Sequence, residues 1–126
     1  MSKSLTATLK IALAQCNFHV GDIPGNTAKI IEAAKKAADD GAQLIVFSEL
    51  ALTGYPPEDL LIRPSLEPRI HEALKEVAAV SHDIAIAVGY PVTRDNRLYN
   101  CAGVWSEGVC LGEYAKQELP NYQVFD

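Results

Sequence analysis

The sequence predicts an α/β domain built on one mixed sheet, with elements in the order βαβαβββ. Apolar, β-branched runs alternate with two segments of helical periodicity, the pattern of parallel strands joined by crossover helices. The last third changes to strands separated by short turns, which reads as antiparallel pairing. The 126 residues, 48% hydrophobic and 21% charged, suit one compact core and not two.

Leu9 to Cys16 (LKIALAQC) is a short apolar run leading into a Gly/Pro/Asn segment from Asn17 to Asn26, hence a buried strand and then a loop. From Thr27, Ile30, Ile31, Ala34 and Ala38 recur at helical spacing, with Asn26 as N-cap and Gly41 as the stop. Gln43 to Phe47 (QLIVF) is continuous and apolar, as in a central strand covered on both faces. The segment from Ser48 to Asp59 holds Gly54, Pro56 and Pro57, which exclude a long regular element and leave a loop at a strand's C-terminal end. Leu66 to Val80 is a second amphipathic helix, its inner face formed by Leu66, Ile70, Ala73, Leu74 and Val77. Pro68 is tolerable there because it falls in the first turn. Ile84 to Tyr90 is a third buried strand, Pro91 to Arg97 a polar turn, and Leu98 to Trp105 a fourth strand. After a tight turn at Glu107-Gly108, Val109 to Tyr114 is the fifth, with Lys116 just past its end.

Charge and composition exclude several function classes. Eleven Lys and Arg against sixteen Asp and Glu give a net charge of −5 with no basic cluster, which argues against a nucleic-acid partner. The N-terminus lacks the apolar core of a signal peptide and no apolar run nears the ~20 residues of a membrane span, so a soluble, cytoplasmic chain with no membrane partner is expected. Cys16, Cys101 and Cys110 have no paired short spacing, so neither a disulfide framework nor a zinc site is encoded and each reads as a small buried hydrophobe. His19, His71 and His82 are scattered, and no metal site is expected. The glycines compose neither G-x-G-x-x-G nor G-x-x-x-x-G-K-[ST], so no cofactor is bound by a recognisable motif.

Two residues stand where chemistry is done. Glu49 follows an apolar strand and opens a Gly/Pro loop, the place where open α/β sheets put ligand sites. Taken alone it is equally a solvated loop acid. Lys116 lies near a later strand's end between Tyr114 and Tyr122, and by itself it is more readily an ordinary surface lysine. A carboxylate and an ammonium meeting at strand ends of one sheet would serve as base and oxyanion partner in acyl transfer.

The stretch Phe47-Ser48-Glu49-Leu50-Ala51-Leu52-Thr53-Gly54-Tyr55-Pro56-Pro57-Glu58-Asp59-Leu60-Leu61 resembles the first signature of the nitrilase superfamily of carbon–nitrogen hydrolases. Its Pro-Pro-Glu-Asp-Leu-Leu extension is similar to the branch formed by the glutaminase domains of glutamine-dependent NAD synthetases. Ile11 to Asn17 resembles the family's opening strand, and Tyr114-Ala115-Lys116-Gln117-Glu118-Leu119-Pro120-Asn121-Tyr122 its lysine motif. The resemblance implies a nitrilase-like mixed sheet, about half of an α-β-β-α sandwich. It makes Glu49 the general base, Lys116 the oxyanion partner, and Tyr55 and Tyr122 lining residues of a glutamine pocket. The family's cysteine nucleophile comes several tens of residues after the lysine, whereas the sequence runs only ten residues past Lys116. Residues 1–126 are therefore expected to be the N-terminal portion of a glutaminase domain, C-terminally incomplete, inactive alone and without a nucleophile. The partners implied are glutamine, the remaining synthetase polypeptide and further copies of the chain, with ATP and Mg²⁺ used by the parent enzyme. A stand-alone amidase sharing the Glu and Lys strands, or a non-catalytic association module, are the alternative readings.

Overall fold

The computed structural model describes residues 8–48, 50–54, 66–95 and 97–118, with Leu66, Leu98 and residues 116–118 described in backbone alone. The elements are β1 (Ile11–Leu13), α1 (Ile23–Asp39), β2 (Leu44–Val46), α2 (Leu66–Ala79), β3 (Ala85–Arg94), β4 (Arg97–Ser106) and β5 (Val109–Glu118). This is the expected βαβαβββ order. They form a five-stranded sheet in sequence order, β1, β2 and β3 parallel, with Ile11 opposite Leu44 and Leu44 opposite Ala85. β3, β4 and β5 are antiparallel.

Helix α1 begins four residues before the expected start. Asp22, not Asn26, is the cap, its carboxylate accepting from the Gly25 N–H at 3.0 Å, and Pro24 sits in the first turn, where no helical N–H is lost. At the other end Gly41 takes φ +89°. Its N–H reaches the Ala38 carbonyl at 3.0 Å while Ala42 reaches Ala37 at 2.9 Å, the paired bonds of a glycine-terminated helix.

Ile30 and Ala34 of α1, with Ile70, Ala73 and Val77 of α2, share one buried cluster with Ile45, Ile86, Val88, Tyr90, Cys101 and Trp105 of the sheet. The alternate residues of the strands make the sheet's second face, where Leu13 and Tyr114 are 78% and 69% exposed. The expected polar turn at Pro91–Arg97 is instead mostly strand. β3 runs on to Arg94 and pairs it with Arg97, because Pro91 and Val92 continue the alternation and the reversal needs only the residues after Arg94, with Asp95 at φ 51°. β5 likewise outruns its expected end at Tyr114 and contains Lys116.

The antiparallel half is tied by a polar cluster on the core side. The Tyr90 hydroxyl donates to Glu113, whose other carboxylate oxygen pairs with Arg94. Tyr90 packs at 5.8 Å, ring centre to ring centre, against Trp105, and the Trp105 ring and the Tyr90 hydroxyl lie over Gly103. A Cβ at Gly103 would fall inside van der Waals contact of the Trp105 ring and the Tyr90 hydroxyl. Gly103→Ala should therefore lower unfolding stability by about 1–3 kcal/mol, the usual cost of overpacking, as a drop in the urea midpoint with little change in slope.

Burial, followed by the hydrogen bond and charge of Glu113, pushes the Tyr90 phenol well above its ordinary value. The folded chain holds that proton more tightly than the unfolded chain does. Its contribution is fully present below the unfolded phenol's value of about 10 and is lost as pH rises past it. Tyr90→Phe should flatten the alkaline fall in stability that the parent chain shows above about pH 10, read as thermal midpoints across pH 8–11.5.

Candidate active site

At the end of β2 the Phe47 N–H bonds the Ala87 carbonyl at 3.0 Å, and the chain then leaves the sheet through Ser48. The segment beyond Glu49 is less loop-like than the sequence predicts. Leu50, Ala51, Leu52 and Thr53 form a tight buried turn, each 4% exposed or less, closed by the Gly54 N–H on the Leu50 carbonyl at 2.8 Å. Leu50 adopts φ 50°, a left-handed conformation that costs a branched residue of order 1 kcal/mol and persists only where surrounding contacts impose it. Those contacts are the Leu52 N–H to Gly89 at 3.2 Å and the Gly21 N–H to Thr53 at 2.9 Å. Asn26 adds a third, its carboxamide donating to the carbonyls of Leu52 (3.2 Å) and His19 (2.8 Å) while accepting from the His19 N–H (2.8 Å). Gly54, at φ 65°, lies so close to the His19 carbonyl that a Cβ would stand 2.8 Å from it.

Among the predicted site residues, Glu49, Tyr55 and Tyr122 lie outside the described residues, and Lys116 is described in backbone alone. That backbone is informative. Cys101 pairs with Ala115 and Asn100 with Gln117, so Lys116 has no opposite residue on β4: it is the extra residue of a β-bulge, a device that re-aims side chains beside active sites. A second bulge falls at Leu111, between the pairs Val104–Gly112 and Trp105–Cys110.

A hollow of about 300 Å³ opens on the sheet's second face, bordered by Val46, Ser48, Ala87, Asn100, Ala102 and Tyr114 among others. It thus touches the residue before Glu49 and the residue two before Lys116. A larger hollow, about 690 Å³, runs beside edge strand β1 from Lys10 to Cys16 and borders neither segment. Sequence reasoning missed Asn100. It is 3% exposed, and its Oδ1 has no hydrogen-bond partner among the described residues. Its signal was only a polar residue inside an apolar strand. Among the described residues no three His, Cys, Asp or Glu side chains gather as metal ligands, and no helix is long and apolar enough to cross a membrane.

The cysteines divide. Cys101 is buried as expected and Cys16 half-buried, but Cys110 is exposed, a correction that stems from its place on β5, the sheet's outer strand. Burial raises the Cys16 thiol, with Lys29 lowering it and Glu32 raising it. Burial, then Glu113, raises Cys101 against the opposing effect of Arg94.

The profile of the carbon-nitrogen hydrolase family matches residues 10–125. The chain is 45% identical over its whole length to a glutamine-dependent NAD(+) synthetase of Xanthomonas campestris, of which it covers 23%. It superimposes with a TM-score of 0.82 on the glutamine-dependent NAD+ synthetase of Acinetobacter baumannii, at 43% identity over 90% of this chain and 22% of that one. An amidase from Nesterenkonia sp. aligns with a TM-score of 0.79 at 26% identity, over 93% of this chain and 46% of that one. The chain therefore spans less than a quarter of the length of the curated relatives it matches.

Thiol labelling tests this order of burial. With a maleimide at neutral pH, mass spectrometry of the folded chain should find Cys110 labelled first, Cys16 more slowly, and Cys101 only on unfolding, because reaction needs both access and thiolate.

Proposed function

Because the chain belongs to the carbon-nitrogen hydrolase family, we propose that residues 1–126 form the N-terminal portion of the glutaminase domain of a glutamine-dependent NAD synthetase, with further polypeptide completing the domain. The observation that most supports this reading is the single hollow bordered both by Ser48, next to Glu49, and by Tyr114, next but one to Lys116. Two signature segments far apart in sequence thereby border one space. The synthetase of Acinetobacter baumannii matches at 43% identity against 26% for the amidase, which favours glutamine over another small amide.

In this reading Glu49 takes the proton of a cysteine thiol supplied by the completing polypeptide, and the thiolate attacks the side-chain amide carbon of glutamine. The carbon–sulfur bond forms, and the Lys116 ammonium stabilises the oxyanion of the tetrahedral intermediate. Glu49 returns the proton to the departing nitrogen, the carbon–nitrogen bond breaks and ammonia leaves a thioester. Water, deprotonated by Glu49, then releases glutamate and restores the thiol. Tyr55 and Tyr122 line the glutamine pocket. The ammonia amidates an adenylated deamido-NAD elsewhere in the synthetase, which works in the cytoplasm as an assembly of several copies. ATP and Mg²⁺ serve that distant step. The residues present here do not fit them, having no phosphate-binding loop in the sequence and no metal-ligand cluster among the described residues, and no step of this chain runs through either.

Ammonia release tests the proposal. The chain alone should release none from glutamine, since loss of the nucleophile from such a triad removes on the order of 10⁶ of the rate. The synthetase carrying this chain should hydrolyse glutamine. Lys116→Ala should lower its kcat by roughly 10²–10³-fold, and Glu49→Gln by roughly 10²–10⁴-fold. Robust hydrolysis by the chain alone, or by either variant of the synthetase, would sink the assignment.

A further inference from the structure

Asn26 is wholly buried, on the face of α1 that carries Ile23 and Ile30 into the core. A carboxamide in such a place is stabilising only when its polar groups are matched. The helix end does not need it, because Asp22 is the cap. The side chain is used outside the helix instead: its two amide hydrogens are donated to the carbonyls of Leu52 at 3.2 Å and His19 at 2.8 Å, and its oxygen accepts the His19 N–H at 2.8 Å. An ionised Asp has no hydrogen to donate, and Gln is one methylene longer. Leu52 belongs to the turn that begins one residue after Glu49. There the Leu50 carbonyl accepts the N–H groups of Thr53 at 3.2 Å and Gly54 at 2.8 Å, with Leu50 at φ 50°, so the turn is closed on itself. The Leu52 N–H is held by Gly89 of β3 at 3.2 Å and its carbonyl by Asn26 of α1, so this one residue links sheet and helix.

We propose that Asn26 is a positioning residue for Glu49: from the first turn of α1 it holds the Leu50–Gly54 turn in place and so fixes the backbone on which the general base stands. The inference rests on the reading of Glu49 as that base. Ser48 and Leu50, the chain neighbours of Glu49, are both among the described residues, and a rigid peptide unit hands any displacement of Leu50 on to Glu49. A left-handed leucine persists only where surrounding contacts impose it, so cutting the Asn26 bonds leaves the turn free to relax. A general base has to stand within hydrogen-bond reach of the proton it takes, and a misplacement of about 1 Å costs roughly 10²-fold in rate. Asn26 touches neither substrate nor nucleophile in this account; it acts through the turn alone.

Two substitutions in the synthetase carrying this chain test it. Asn26→Ala removes all three bonds, and the near-isosteric Asn26→Asp keeps the one accepted from the His19 N–H and loses the two donated. In either variant kcat for glutamine hydrolysis should fall roughly 10²-fold with KM nearly unchanged, in enzyme that circular dichroism shows to be folded at the assay temperature. A generally loosened site would lose glutamine binding as well. The decisive readout is a double-mutant cycle. With Glu49→Gln already in place, either substitution at Asn26 should lower kcat by less than about threefold further, because a misplaced base costs nothing once the base is gone. Should Asn26→Ala not fold, Asn26→Asp decides by itself. A folded Asn26 variant that keeps the parent kcat, one whose loss falls on KM, or one whose loss multiplies in full with that of Glu49→Gln would overturn the inference. Full activity in Glu49→Gln would instead overturn the reading on which it rests.

Discussion

The Asn26 carboxamide, wholly buried, joins three main-chain groups that lie outside the helices and strands: the N–H and carbonyl of His19 and the carbonyl of Leu52. It stands in the first turn of α1, so the helix that covers the sheet also staples the loop after β1 to the turn after β2. The buried Leu52 carbonyl, left unpaired, would cost about 1–3 kcal/mol. The left-handed Leu50 and the close approach of Gly54 to His19 are conformations that such a staple can impose on a turn with little intrinsic preference for them. The chain just after Glu49 is fixed in this way, and the chain just before it by the Phe47 N–H on the Ala87 carbonyl.

The sheet divides its work between its two kinds of pairing. The parallel half brings the ends of β1, β2 and β3 to one edge, where the connecting loops collect. The antiparallel half carries long strands whose core face is held by Tyr90, Glu113 and Arg94 and whose other face borders the hollow. Membership of the carbon-nitrogen hydrolase family and homology to the NAD synthetases agree with this arrangement, because the segments that resemble the family's glutamate and lysine motifs come one from each half.

Element order is legible because apolar periodicity is a property of residues near in sequence: Ile30 and Ala34, or Ile70, Ala73 and Val77, declare a helical face without reference to anything distant. Boundaries are less legible where long-range contacts decide them. Asn26 has the chemistry of a cap, yet Asp22 takes that role and Asn26 reaches Leu52, a partner invisible to local pattern. The expected turn from Pro91 loses to ladder pairing with β4, and Cys110 reads as buried because an apolar strand does not announce that it is the outer one. The family's glutamate and lysine motifs are recognisable from their residues, whereas Asn100 is not, since a single polar residue in a strand has no signature until its burial and its neighbours are known.

The two bulges of β5 behave as a pair of frameshifts in the reading of one strand by another. Up to Cys110, residue numbers paired across the β4–β5 hairpin sum to 215, from Gly112 to Ala115 to 216, and at Gln117 to 217. The first insertion inverts which residues face the core, putting Glu113 opposite Gly103 within reach of Tyr90. The second restores the original phase. A one-residue deletion between Leu111 and Lys116 would be out of frame for every side chain beyond it, whereas a change of length in the turn at Glu107-Gly108 would be absorbed before the frame begins to matter. The lysine's place is thus encoded less by its own identity than by the count of residues that precede it.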